Sequence, residues 1–157
     1  MLYNLKELPN GIRIVHQEVT HTRVVHCGFI LNIGSRDESK EQEGIAHFWE
    51  HMAFKGTKKR KAYHIINRLE SLGGELNAYT TKEKICFYSS ILKEHFGKAA
   101  ELLCDITFNS TFPKKQIEKE RQVILEEMAM YRDSPEDSIQ DEFDALVFDG
   151  HALGRNI

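Results

Sequence analysis

Residues His47-Phe48-Trp49-Glu50-His51 constrain this chain more than any other stretch. In a helix, at about 100° per residue, the two imidazoles point within roughly 40° of each other, with Glu50 to one side of the pair. Two neutral imidazoles one turn apart can grip one divalent zinc and leave the carboxylate free to act on a water. The chain has eight histidines, so a surface helix carrying two of them by chance is the competing reading. The neighbours argue against it. Relative to His47, the residues Ile45, Phe48, Trp49, Met52 and Ala53 fall on the far side of the wheel, giving a burying face opposite the polar one. A site of this kind needs a further ligand from elsewhere in the chain.

Around this stretch the sequence reads as hairpins and helices. Residues 2 to 8 and 12 to 19 alternate as strands around a Pro9-Asn10-Gly11 turn. Residues 22 to 33 form a richer strand, apolar on both faces, as a central strand covered by helices would be. The histidine helix is expected from about Gln42 to Phe54. A second helix, Tyr63 to Leu72, carries Ile65, Ile66, Leu69 and Leu72 at helical spacing and stops at Gly73-Gly74. Strands follow at Leu76 to Thr80 and Ile85 to Leu92. A long helix then runs from about Glu94 to Phe108, with Phe96, Ala99, Ala100, Leu103 and Ile106 inward. Pro113 opens the next helix, to about Arg132, and Ser134-Pro135 starts a last one as N-cap and first turn. The expected class is α+β: a mixed, largely antiparallel sheet with helices packed mainly on one face.

The helix from Pro113 to Arg132 holds an anomaly. With Glu120 at zero on the wheel, Ile117, Ile124, Met128 and Tyr131 fall between about 20° and 80°, Glu127 near −20° and Val123 near −60°. Glu120 and Glu127 therefore sit within an apolar stripe, whereas Glu126 points to solvent. A carboxylate facing a core is costly unless a cation or donors satisfy it. A buried ion pair with Arg or Lys is the alternative to a metal. The wheel selects Glu120 or Glu127 as a ligand without choosing between them.

The segment Gly44-Ile45-Ala46-His47-Phe48-Trp49-Glu50-His51-Met52-Ala53-Phe54-Lys55-Gly56-Thr57 resembles the metal-site signature of the pitrilysin family, in the inverted His-x-x-Glu-His order. The branch it resembles most is that of the mitochondrial processing peptidase β-subunit and its bacterial relatives. Gly73-Gly74-Glu75-Leu76-Asn77-Ala78-Tyr79-Thr80 and Glu120-Arg121-Gln122-Val123-Ile124-Leu125-Glu126-Glu127 resemble that family's next two blocks, in order and spacing. The resemblance implies a zinc metallopeptidase with one zinc per chain, held by His47, His51 and Glu127. It implies Glu50 as general base, Glu120 as a carboxylate orienting a ligand, and Asn77 and Ala78 on the strand edge that pairs with an extended peptide. Without the family, Asn77 reads equally as a strand-end residue. Residues 1–157 would then be the N-terminal part of one peptidase domain, the rest of that domain and a second similar domain or partner subunit lying beyond it; such a fragment alone is expected to bind zinc weakly and turn over little. Trp49 stands where the family usually has a smaller aliphatic residue, which implies repacking. A non-catalytic peptide-binding or assembly subunit is the alternative function, and a zinc hydrolase of non-peptide substrates a third.

Composition excludes other classes. A hydrophobic share of 41%, a charged share of 29% and a net charge of −3 fit a globular domain with no nucleic-acid partner. The basic run Lys58-Lys59-Arg60-Lys61 reads as a solvated loop. Three cysteines, an odd number without metal spacing, are expected reduced and mostly buried. His16, His21, His26, His64, His95 and His151 lack partners at ligand spacing. With no signal-peptide pattern and no membrane span, the expected place is the cytoplasm, or the mitochondrial matrix if the source is eukaryotic.

Overall fold

The computed structural model describes residues 3–156; Leu2, which the sequence places in the first strand, lies outside them. A hairpin comes first, β1 (Asn4–Glu7) and β2 (Arg13–His16), antiparallel, with Leu8 N–H donating to Ile12 O across the Pro9-Asn10-Gly11 turn. The main sheet has three antiparallel strands in the order β3-β5-β4: β3 (Val24–Leu31), β4 (Glu75–Thr80) and β5 (Ile85–Leu92). The helices are α1 (Ile45–Ala53), α2 (Ala62–Glu70), α3 (Phe96–Phe108), α4 (Lys114–Asp133) and α5 (Pro135–Val147). Helix α3 packs on β3 and β5, α1 and α2 pack on β4, and α4 joins α1 to α5. The fold is the α+β arrangement expected.

The core lies between the sheet and the first three helices. Alternate β5 residues Ile85, Phe87 and Ile91 face it, met by Ile65 and Leu69 of α2 and by Ala99, Leu102, Leu103 and Ile106 of α3. Each of the isoleucine, leucine and phenylalanine side chains so withdrawn from water contributes about 1.5–3 kcal/mol. Trp49 is half-buried and meets Phe87 edge-on, ring centroids 6.0 Å apart, which accommodates its bulk against the core.

Several expectations need correction. The central strand is β5, paired on both sides, and not β3; the outward residues Val24, His26 and Ile30 of β3 are exposed, no helix among the described residues covering that face. Ile45 is exposed at the start of α1, Ile66 on α2 and Phe96 at the start of α3. Leu102, unassigned by periodicity, is fully buried. Cys27 and Cys86 are half-buried and buried, but Cys104 is exposed on the outer side of α3. Ser134 holds the N-cap position of α5, yet its side chain makes no capping bond.

Candidate metal centre

Helix α1 begins later than periodicity suggests. Lys40–Gln42 is a separate 3-10 turn, and Gly44, at φ 88°, reverses the chain into the helix, a conformation that favours glycine. The first turn is capped from six residues upstream. The Glu38 carboxylate accepts from Gly44 N–H at 2.8 Å and from Ala46 N–H at 2.7 Å, placing negative charge at the helix N-terminus. Arg155 holds the Glu38 backbone by donating to its carbonyl at 2.9 Å. Ala46, Met52 and Ala53 are buried, so the helix cannot rotate without opening the core, and His47, Glu50 and His51 are left on the other face.

Helix α4 brings the carboxylates. Glu120 is 5% exposed, the one buried residue among twenty in that helix. Glu127 is half-buried and Glu126 exposed, as the wheel separates them. The stripe is less covered than expected, however: Val123, Met128 and Tyr131 are exposed.

Atoms of three residues converge. His47 Nε2 and His51 Nε2 are 3.1 Å apart; Glu127 Oε2 lies 3.3 Å from His51 Nε2 and 3.9 Å from His47 Nε2. A tetrahedral zinc with bonds near 2.1 Å sets its ligand atoms about 3.4 Å apart, so this set of two imidazoles and one carboxylate fits the ion. The third approach is made by Glu120, whose Oε1 lies 3.1 Å from His51 Nδ1. A carboxylate is an acceptor, so His51 carries its proton on Nδ1 and turns its Nε2 lone pair toward the cluster. Lys55 Nζ lies 2.8 Å from the same Glu120 oxygen, a contact that the sequence reading did not assign.

These groups open into a cleft of about 800 Å³ lined by His47, Glu50, Tyr79, Thr80, Glu127 and Tyr131, with α5 as the far wall. Strand β4 borders it and is an edge of the sheet. Asn77 is exposed on that strand and Ala78 half-buried. The Ala78 N–H donates to Asn77 Oδ1 at 2.8 Å, so the side chain covers part of its own strand edge. Asn77 and Ala78 lie beside Tyr79 and Thr80 and not among the residues that line the cleft. The other six histidines take no part in this cluster.

One helix presents His47, Glu50 and His51 in the inverted His-x-x-Glu-His order and a second brings Glu127 to them, beside an antiparallel sheet, a donor set that fits zinc. Comparison with known proteins gives the family. Residues 13–157 match the family described as Insulinase (Peptidase family M16), and this chain belongs to that family. An uncharacterized zinc protease of Rickettsia bellii is 43% identical over 155 residues, and one of Bacillus subtilis is 41% identical over 148. The alignments cover 99% and 94% of this chain, which spans only 38% and 36% of those relatives. Among solved structures, a protease from Helicobacter pylori superposes with a TM-score of 0.92 at 26% identity, over 98% of this chain and 37% of that one. A peptidase M16 inactive domain from Pseudomonas fluorescens shares the fold, with a TM-score of 0.88 at 15% identity, over 99% of this chain and 38% of its own. Among the described residues no helix is long and apolar enough to cross a membrane.

Proposed function

We propose that this chain carries the metal site and general base of a zinc metalloendopeptidase acting on extended peptides. The observation that carries the reading is the convergence of His47, His51 and Glu127, whose ligand atoms all lie within 4.8 Å of one another. Zinc held there supplies a lowered water pKa and a polarised scissile carbonyl. Glu50, on the same helix face and lining the same cleft, takes a proton from the attacking water and passes it to the departing amine. Glu120 holds the His51 ring by its Nδ1–H. An extended peptide lies along the β4 edge near Asn77 and Ala78, pairing backbone to backbone, which reads peptide shape more than side-chain identity. In the intact protein a second similar domain or a partner subunit covers the cleft.

The test is Glu50→Gln, made in the full-length protein, with zinc content and peptide cleavage measured together. A peptidase keeps its zinc and loses turnover by about 10²–10⁴-fold, the usual share of general acid–base catalysis. A non-catalytic binding or assembly subunit loses nothing, and that result removes the catalytic reading.

A further inference from the structure

The carboxylate that orients His51 is itself held by a cation. Glu120 is buried, and a buried carboxylate is costly unless it is paired. One of its oxygens is shared by two groups, His51 Nδ1 at 3.1 Å and Lys55 Nζ at 2.8 Å. Lys55 follows the last turn of α1 and is itself partly buried, with 29% of its side chain exposed.

The backbone that presents Lys55 is pinned just past it on the C-terminal side. Gly56, at φ 151°, makes a turn that favours glycine, and its carbonyl accepts from Thr111 N–H at 3.1 Å. That contact ties the segment to the stretch leading into α4, the helix of Glu120 and Glu127. Thr57 pairs with Ser110 in an isolated bridge and donates through Oγ1 to buried Asp105 at 2.8 Å. Arg60 donates to the same Asp105 oxygen at 2.5 Å and to Glu101 at 2.7 Å. Burial alone would lower the Arg60 pKa, but its bonds to Glu101 and Asp105 outweigh this and raise it, so the knot keeps its charge. The ammonium of Lys55 therefore hangs from a fixed base, aimed at the carboxylate and not at solvent.

We propose that Lys55 is a positioning residue for the metal site: its ammonium fixes the Glu120 carboxylate, which in turn fixes the His51 ring and the direction of its Nε2. The inference rests on the zinc reading above. Lys55 touches neither substrate nor ligand atoms, and its effect passes through Glu120. A cation near a cation site also repels the metal, but here orientation outweighs that repulsion.

The readout is the zinc dissociation constant of the purified protein, by competition with a chromophoric chelator, so that no turnover is needed. Lys55→Met, which keeps the alkyl stem, is expected to weaken zinc binding within the roughly 10–100-fold range typical of partners that orient a metal ligand. Lys55→Arg is expected to restore most of it. In a Glu120→Gln background, Lys55→Met is expected to cost far less, because the group through which it acts has lost its charge. Far-UV circular dichroism of the zinc-free variants shows that each is folded. Zinc binding by Lys55→Met equal to or tighter than wild type overturns the proposal, as does an undiminished effect in the Glu120→Gln background. Glu127→Gln, run alongside, separates the two levels. If it binds zinc like wild type, the zinc reading itself fails; if it loses zinc while Lys55→Met does not, only the role of Lys55 fails.

Discussion

Helices α1 and α4 hold the same site by different means. Helix α1 has nine residues, of which Ala46, Met52 and Ala53 are buried, and its N-terminus is capped by Glu38. Helix α4 has twenty residues with only Glu120 buried, and its apolar side chains are largely exposed. The first is positioned by packing. The second is positioned by polar contacts that converge where it crosses α1: Glu120 with His51 and Lys55, and Glu127 with the imidazole pair. On the zinc reading proposed above, His47 and His51 are fixed by packing before any metal arrives, whereas Glu127 depends on contacts that the metal itself would complete.

That contrast can be broken by measurement, most strongly at the core. Met52→Ala removes a fully buried side chain of α1 and is expected to cost about 2–5 kcal/mol in urea unfolding. Next comes Glu127→Gln, expected to raise the zinc dissociation constant by at least 100-fold, above the ~10–100-fold cost of losing an outer partner, while Glu126→Gln binds as wild type by elemental analysis. Loss of zinc by Glu126→Gln would overturn the assignment of the ligand. Glu38→Ala removes the cap of α1 and is expected to cost about 1 kcal/mol in the same unfolding experiment. On the other helix, Leu125→Ala is expected to stay within about 0.5 kcal/mol of wild type, since its side chain is exposed. A cost like that of Met52→Ala would erase the distinction between the helices.

The weakest effect concerns α5. The Asp144 carboxyl is held below the usual aspartate range by its hydrogen bond from Lys82, whose ammonium also donates to Leu153 O at 2.9 Å. A carboxyl with a depressed folded-state pKa stabilises fully above its unfolded value. That contribution is lost as the pH falls through the folded value. Thermal unfolding followed from neutral to acid pH should therefore show a slightly smaller acid loss in Asp144→Asn than in wild type; identical pH profiles would mean that this link between α5 and the sheet contributes nothing.

What could be read in the sequence divides along the same line. Local period placed His47 and His51 on one face of α1 and set Glu120 and Glu127 apart from Glu126 on α4, because a wheel needs only neighbouring residues. It did not choose between Glu120 and Glu127, since which carboxylate reaches the imidazoles depends on where α4 crosses α1. The His51–Glu120 contact joins α1 to α4 across 69 positions, and the Lys55–Glu120 contact joins the segment just after α1 to the same helix; neither leaves a local pattern. The Glu38 cap escaped because its carboxylate reaches six and eight residues forward, outside the spacing of a capping box. For β3, an apolar run on both faces read as a central strand. Hydrophobicity reports that a residue gains by being covered, and says nothing of which element covers it.

The contact between Asn77 and Ala78 has a consequence for life at high concentration. A bare strand edge is a standing invitation to any other bare edge, including that of an identical molecule. By letting Asn77 occupy the Ala78 N–H, the chain keeps that invitation partly withdrawn. An incoming backbone must displace a bond already made, so its net gain at that position is small, and only a guest that matches along several residues is held. The same side chain thereby discourages the protein from stacking on itself.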